Sequence, residues 1–390
     1  MKRRDLPAFL HRDHLLVTVL IALMVSGAVS AALYFALVMP SLNRIETKVG
    51  ELTMGTTTTP TTPQVEVVPV SSKPLVSGLP KELISQPSSA VQVVKRNKEL
   101  EADGIIQPEQ IIGEAVAVTG DGWFVLPSSV ANAQNMNTLS LAVRGGLAPI
   151  KKAIRDKSTG FVYVKTDVTN MTAANFVRPS LIEEGATLYA ETSPTVFAPV
   201  ALSDLAYAVG IQSSEQQARH LRVVLPTGLS IVGAPLRDSS GRVVGIIDLF
   251  DKNTGSWLVV PVGTVASDIS SIVSDGAIHR ATLGVRGIDL AQTLLTTSTS
   301  TRADLVGFLL KSEKKLGPAV KADGPAAGNL VEGDIIERVE RDVLDGSADL
   351  AEVLMDYRPG ATVTFYGKRK NESFQAKISL GNATATEILK

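Results

Sequence analysis

Residues 228–250 read GLSIVGAPLRDSSGRVVGIIDLF, and this stretch decides the fold. Ile231, Val232 and Leu236, then Val243 to Leu249, form two apolar runs of strand length, with turn residues Asp238 to Gly241 (DSSG) between them. The pattern predicts a β-hairpin. Gly233 and Ala234 are small and Pro235 has no amide donor, which places an irregular, closely approached backbone at the start of the first strand.

The same texture continues on both sides. From Ala90 onward short apolar runs such as AVQVV, EAVAVT, WFVLP, TLSLAV, FVYVK, ATLYAE, RVVLP and SWLVVP alternate with Gly, Asp and Asn. Strands at roughly ten-residue spacing predict an all-β barrel or sandwich. Val265, Ile269, Ile272 and Val273 have helical spacing, so Val262 to Ser274 is expected to be a helix stopped by Gly276.

Composition narrows the chemistry. The chain of 390 residues has room for two or three domains. Its 38 basic and 39 acidic residues nearly cancel, which gives no reason to expect nucleic acid as a partner. The absence of cysteine excludes disulfides, thiolate catalysis and Cys-based zinc sites. His11, His14, His220 and His279 form no metal-ligating spacing, so neither a metal nor a cofactor is expected.

Towards the N-terminus, Leu15 to Met39 is an uncharged run long enough, as a helix, to cross a hydrocarbon core of about 30 Å. Lys2, Arg3, Arg4 and Arg12 precede it. That asymmetry predicts a cytoplasmic N-terminus (1–14), a single transmembrane helix (15–39) and extracytoplasmic remaining domains. A cleavable signal peptide is the competing reading, with small residues at Ala28 to Ala32. Residues 40–88, with TTTTPTTPQ and repeated Pro, Ser and Val, are expected to form a stalk.

The opening stretch also resembles the catalytic segment of the HtrA (DegP-like) trypsin-type serine proteases, GNSGGPLhNxxGxVhGI. Pro235, Leu236, Gly241, Val244, Gly245 and Ile246 carry the likeness. It puts Gly233 and Ala234 on the paired glycines and Val232 on the nucleophile. Asp121 to Ala131 (DGWFVLPSSVA) resembles the family's DGYhLTNNHVV segment, with Ser129 at the histidine position, and Asp156 to Lys165 (DKSTGFVYVK) resembles its DxxxDLAVLK segment, with Gly160 at the aspartate. A triad needs a nucleophile, a base within hydrogen-bond reach and an orienting carboxylate. Val232 has no atom to deprotonate. Ser230, Ser129, His220, Asp156 and Asp167 are the remaining candidates for nonstandard chemistry.

Beyond the predicted helix, ATLGVRG resembles the carboxylate-binding loop of HtrA-type PDZ domains, at Leu283, Gly284 and Val285. GPAVKADGPAAGNLVEGDII (Gly317 to Ile336) and DLAEVLMDYRPGATVTFYGKR resemble the remainder of such a domain. Asn329 replaces a usual glycine, and Glu340 and Arg341 occupy a usual Asn-Gly turn. The resemblance implies a mostly β chain: a trypsin-like double β-barrel, degenerate at its site, at 89–276, and a C-terminal α/β PDZ domain at 277–385. It implies a non-enzymatic, membrane-anchored pseudoprotease that binds proteins or peptide C-termini, as in protein quality control, and that assembles as a homo-trimer. A scaffold subunit partnering an active relative is the alternative, and an endopeptidase using nonstandard residues is a third reading.

Overall fold

Two β-sheet systems meet behind the opening hairpin. In the computed structural model, the described residues are 79–389 apart from 97–104, 179–181, 183–185, 194–195, 208–209, 218, 226–231, 293–305 and 347. The expected membrane helix 15–39 and nearly all of the stalk lie outside them, as do Gly228 and Ser230. Among the described residues no helix is long and apolar enough to cross a membrane.

The first system is an eight-stranded antiparallel sheet. Its order is Thr386–Leu389, Lys152–Asp156, Phe161–Lys165, Trp123–Pro127, Ile111–Ala117, Ala90–Lys95, Leu139–Val143 and Gly146–Pro149. Each strand alternates residues to a shared core of Val93, Ala115, Phe124, Leu126, Leu141, Val162 and Val164. The second is a closed barrel of His220–Val224, Ser256–Pro261, Val243–Asp251, Pro235–Arg237, Leu188–Ser193 and Val196–Tyr207. Leu188, Leu221, Leu236, Val244, Ile247 and Val259 fill it.

The expected hairpin is present. Pro235–Arg237 pairs antiparallel with Val243–Asp251. Asp238 closes the turn: its carboxylate accepts the N–H groups of Ser240 and Arg242, each at 2.9 Å. The expected helix spans Val265–Asp275 and packs Val265, Ile269 and Ile272 onto Val243, Ile246 and Tyr163. Gly276 ends it in the left-handed region, donating its N–H to Ile272 O at 2.9 Å.

The C-terminal part builds a sheet in the order Gln212–Ser213, Arg286–Asp289, Phe308–Leu310, Ile335–Val339, Thr362–Arg369 and Glu372–Ser379, with Asp342–Val343 against Ile335–Val339. A short helix, Leu350–Met355, covers it; Asp349 caps this helix by accepting the Glu352 N–H at 2.6 Å. Two features were not legible from strand patterns. Gln212–Ser213 leaves the barrel region to join the C-terminal sheet, and Thr386–Leu389 returns to the edge of the first sheet. The fold is mostly β, with the barrel and sheets that the sequence predicted.

Candidate functional site

Gly233 explains why the hairpin starts where it does. Its φ is +88°, and a Cβ placed there would stand 2.0 Å from the Glu114 carbonyl oxygen. Only glycine fits such an approach. The contact is held by two backbone bonds, from Glu114 N–H to Val232 O at 2.9 Å and from Gly233 N–H to Ile247 O at 2.7 Å. The Gly233 N–H is thereby committed to the barrel rather than facing open space.

The segments that carry Ser129, Gly160 and Val232 meet through chain neighbours, with no direct contact among the three residues themselves in these bonds. Ser128 N–H donates to Gly160 O at 3.1 Å. Val130 and the Val232 carbonyl flank Gly113 on the neighbouring strand. Ser129 Oγ donates to the Asp248 carboxylate, one residue past the Ile247 that receives Gly233. A cavity of about 340 Å³ opens beside Val232, lined also by Gly113, Glu114 and Thr192.

Two carboxyls of this face are displaced from ordinary behaviour. Burial raises the pKa of Asp248, against the opposing hydrogen bond from Ser129 and the charge of His220. Burial, reinforced by the nearby Glu191 charge, raises Glu114 to about 8. Glu191 itself is held by Arg237 at 2.7 Å, and Glu114 Oε2 has no hydrogen-bond partner.

The Glu114 shift has a definite sign. A carboxyl whose folded pKa lies above its unfolded value keeps its proton in the folded state while the unfolded chain releases it. Stability contributed by Glu114 is therefore present below pH 4.5 and is lost progressively towards about pH 8. Glu114→Gln, which mimics the protonated form, is expected to flatten this loss. Urea midpoints from pH 5 to pH 8 measure it; a variant with the same pH slope as wild type overturns the assignment.

Sequence reasoning named Ser129 and His220 but missed Asp248, whose signal was a lone carboxylate inside the apolar run VVGIIDLF. It also named Asp156 and Asp167 as substitute acids. Asp156 is instead fully buried against Arg280, and Asp167 pairs with Lys151 at the surface, at 3.2 Å.

At the other predicted site, Gly284 has φ +80° and Leu283 and Val285 are fully buried. The loop is pinned from behind, with Lys321 N–H donating to Gly284 O at 2.8 Å and Ala326 N–H to Leu283 O at 3.0 Å. Gly284 N–H and Val285 N–H point to a common side, where they meet Glu215 and Ser214.

A closed barrel that includes the opening hairpin, beside an eight-stranded antiparallel sheet, makes this a mostly β protein. No family model matches the chain. It is 28% identical over 162 residues to "Serine protease Do-like HtrA" of Lactococcus lactis subsp. cremoris, covering 39% of this chain and 39% of that one. It is 23% identical over 284 residues to "Probable periplasmic serine endoprotease DegP-like" of Rhizobium meliloti, covering 70% of this chain and 54% of the relative. The chain is thus a homologue of the HtrA/DegP-family serine proteases, matched over about half or less of these relatives' lengths. Among solved structures, "HtrA-type protease AlgW with tripeptide" aligns with 77% of this chain and 96% of its own at 18% identity and a TM-score of 0.49.

These names overturn one expectation. The chain was expected not to be an enzyme because Val232, Ser129 and Gly160 stand in for a triad, whereas the relatives that it matches are named as serine proteases and endoproteases. Identities this low leave the residues that would do the chemistry to be read from the site itself.

Proposed function

We propose that the chain is an HtrA-like protein, anchored in a membrane through residues 15–39, that binds proteins or peptide C-termini outside the cytoplasm. In this reading residues 277–385 are a PDZ domain, and Leu283, Gly284 and Val285 receive the terminal carboxylate. The observation that carries it is the paired Gly284 and Val285 N–H groups beside the strand edge Arg286–Asp289. Two convergent backbone donors stabilise a carboxylate, and a strand edge covered only by the two-residue strand Gln212–Ser213 offers backbone groups to an extended peptide that takes its place. Ser129, Gly160 and Val232 occupy the triad positions in the same reading.

The test is a titration of the detergent-solubilised full chain with fluorescent peptides that end either in a free carboxylate or in an amide. The acids are expected to bind about tenfold or more tightly than the amides, the loss of one charge-assisted contact being worth at least about 1.4 kcal/mol. Equal binding of acid and amide overturns the reading. Protease added outside sealed vesicles is expected to digest the described domains; protection of them reverses the proposed orientation.

Hydrolysis is the second reading, favoured by the Ser129 to Asp248 hydrogen bond. A carboxylate with a raised pKa is a better proton acceptor for a serine hydroxyl than an ordinary one. Any covalent chemistry at this face then runs through Ser129 Oγ, since Val232 offers no nucleophile. Labelling by a fluorophosphonate and cleavage of unfolded casein are expected to vanish in Ser129→Ala. Labelling that persists unchanged in that variant excludes Ser129 as the nucleophile.

A further inference from the structure

The groove beside Leu283 to Val285 already holds a segment of this chain. Gln212–Ser213 pairs antiparallel with Arg286–Asp289, in the register Gln212 to Gly287 and Ser213 to Arg286. It runs towards the loop, as a peptide would whose carboxyl end was to be received there. Ser214 continues the pairing: its N–H donates to Val285 O at 3.0 Å, and its hydroxyl accepts the Val285 N–H at 3.2 Å.

Glu215 then turns its side chain into the loop. One carboxylate oxygen accepts the Gly284 N–H at 2.6 Å and the Ser214 hydroxyl at 2.8 Å. The other accepts the Ser213 hydroxyl at 2.8 Å and pairs with Lys321 Nζ at 3.0 Å. Past this point the segment touches the other wall. Gln217 Nε2 donates to Glu352 at 3.1 Å, and Arg219 pairs with Glu352 at 2.6 Å on the helix Leu350–Met355. Strand edge, carboxylate loop and helix are the three surfaces that a bound peptide would use.

We propose that Gln212–Glu215 is a built-in ligand of this groove, its Glu215 side chain standing in for a terminal carboxylate, so that carboxylate-ended peptides bind by displacing it. The proposal rests on the peptide-binding reading above and adds its regulation. Glu215 lies between barrel strands Val196–Tyr207 and His220–Val224, so displacement releases a connection of the barrel itself. Occupancy of the groove and the state of the loop before His220 become one equilibrium. A peptide therefore shifts that loop only by the difference between its own affinity and that of the resident segment.

Two measurements on the full chain test this. Glu215→Gln removes the charge and keeps the shape, and Lys321→Met removes the paired cation. Amide hydrogen exchange at Ser214, Gly284 and Val285 is expected to be faster in Glu215→Gln than in wild type, with no peptide present. Exchange that is unchanged shows that Glu215 does not hold the segment, and overturns the built-in ligand whatever peptides do.

The second measurement uses the fluorescent peptide GIQSSE, the sequence of residues 210–215, with a free C-terminus. It is expected to bind Glu215→Gln about tenfold or more tightly than wild type, because the apparent affinity falls with the fraction of groove left open. Lys321→Met is expected to weaken GIQSSE binding in the Glu215→Gln background, which a merely structural Glu215 would not produce. Wild type binding as tightly as Glu215→Gln overturns the built-in ligand and leaves the peptide reading standing. Fast exchange with no binding by any chain overturns the peptide reading, and the competition with it.

Discussion

Arg280→Met is expected to cost the folded protein about 3 to 5 kcal/mol, the usual effect of removing one partner from a buried ionic cluster. Arg280 bridges Asp156 at 2.7 Å and Asp268 at 2.5 Å, and both carboxylates are fully buried. Tyr163, also fully buried, donates its hydroxyl to Asp268 at 2.7 Å. The cluster joins the first sheet through Asp156, the helix Val265–Asp275 through Asp268, and the strand His279–Thr282 through Arg280 itself. Burial pushes the Asp268 pKa up, and Arg280 opposes the shift. Without the guanidinium the two acids face each other with no cation. Much of the lost stability is expected to return when Asp156→Asn and Asp268→Asn are added, since what is costly is a charge left unpaired. Urea unfolding measures both steps. A single-variant cost below about 1 kcal/mol, or no recovery in the triple variant, counts against the account.

Gly233→Ala is expected to destabilise by about 3 kcal/mol or more, which is large for the addition of one methyl group. Two costs combine. A non-glycine residue at φ +88° is strained by about 1 to 3 kcal/mol, and the new Cβ meets the oxygen, carbon and nitrogen of Glu114 at 2.0 to 2.8 Å. These are backbone atoms of a central strand, which has no free rotation by which to yield. Gly255→Ala is the matched control: its φ is +65° with nothing within 4 Å of the new Cβ, so only the strain applies. Thermal unfolding of the pair separates close approach from conformational preference. Equal losses at the two positions remove close approach as the reason for Gly233. The same variant is expected to displace the Val232 carbonyl from Glu114, and so to alter the cavity beside it.

The fold was legible where local pattern and tertiary demand agree. The hairpin of Pro235–Arg237 and Val243–Asp251 was visible because turn residues sit between two apolar runs, and the Gly276 stop because helix spacing ends at a residue able to take positive φ. The closely approached backbone at Gly233 was foreseen from its small neighbours. What was not legible depends on pairs far apart in sequence. Asp248 is distant from Ser129, Glu215 from Gly284, and Arg280 from Asp156, and no periodicity records such meetings. The two-residue strand Gln212–Ser213 is too short for an alternation signal. Glu340 fills the position of a usual Asn-Gly turn by adopting φ +49°, and its carboxylate repays the strain by accepting the Thr364 N–H at 2.6 Å. A turn rule alone would have rejected it.

The returning strand Thr386–Leu389 has a consequence for how the chain is made. It covers the edge of the first sheet by pairing with Lys152–Asp156, although the barrel and the C-terminal sheet intervene in sequence. During synthesis the strand Lys152–Asp156 emerges long before its outer partner and waits with one row of amides and carbonyls open. The nascent protein therefore carries a sticky β edge for most of its translation time, and the closing of that edge depends on a contact of very long sequence separation, the slowest kind to form. A holding factor that masks extended edges would act on this intermediate rather than on the finished protein.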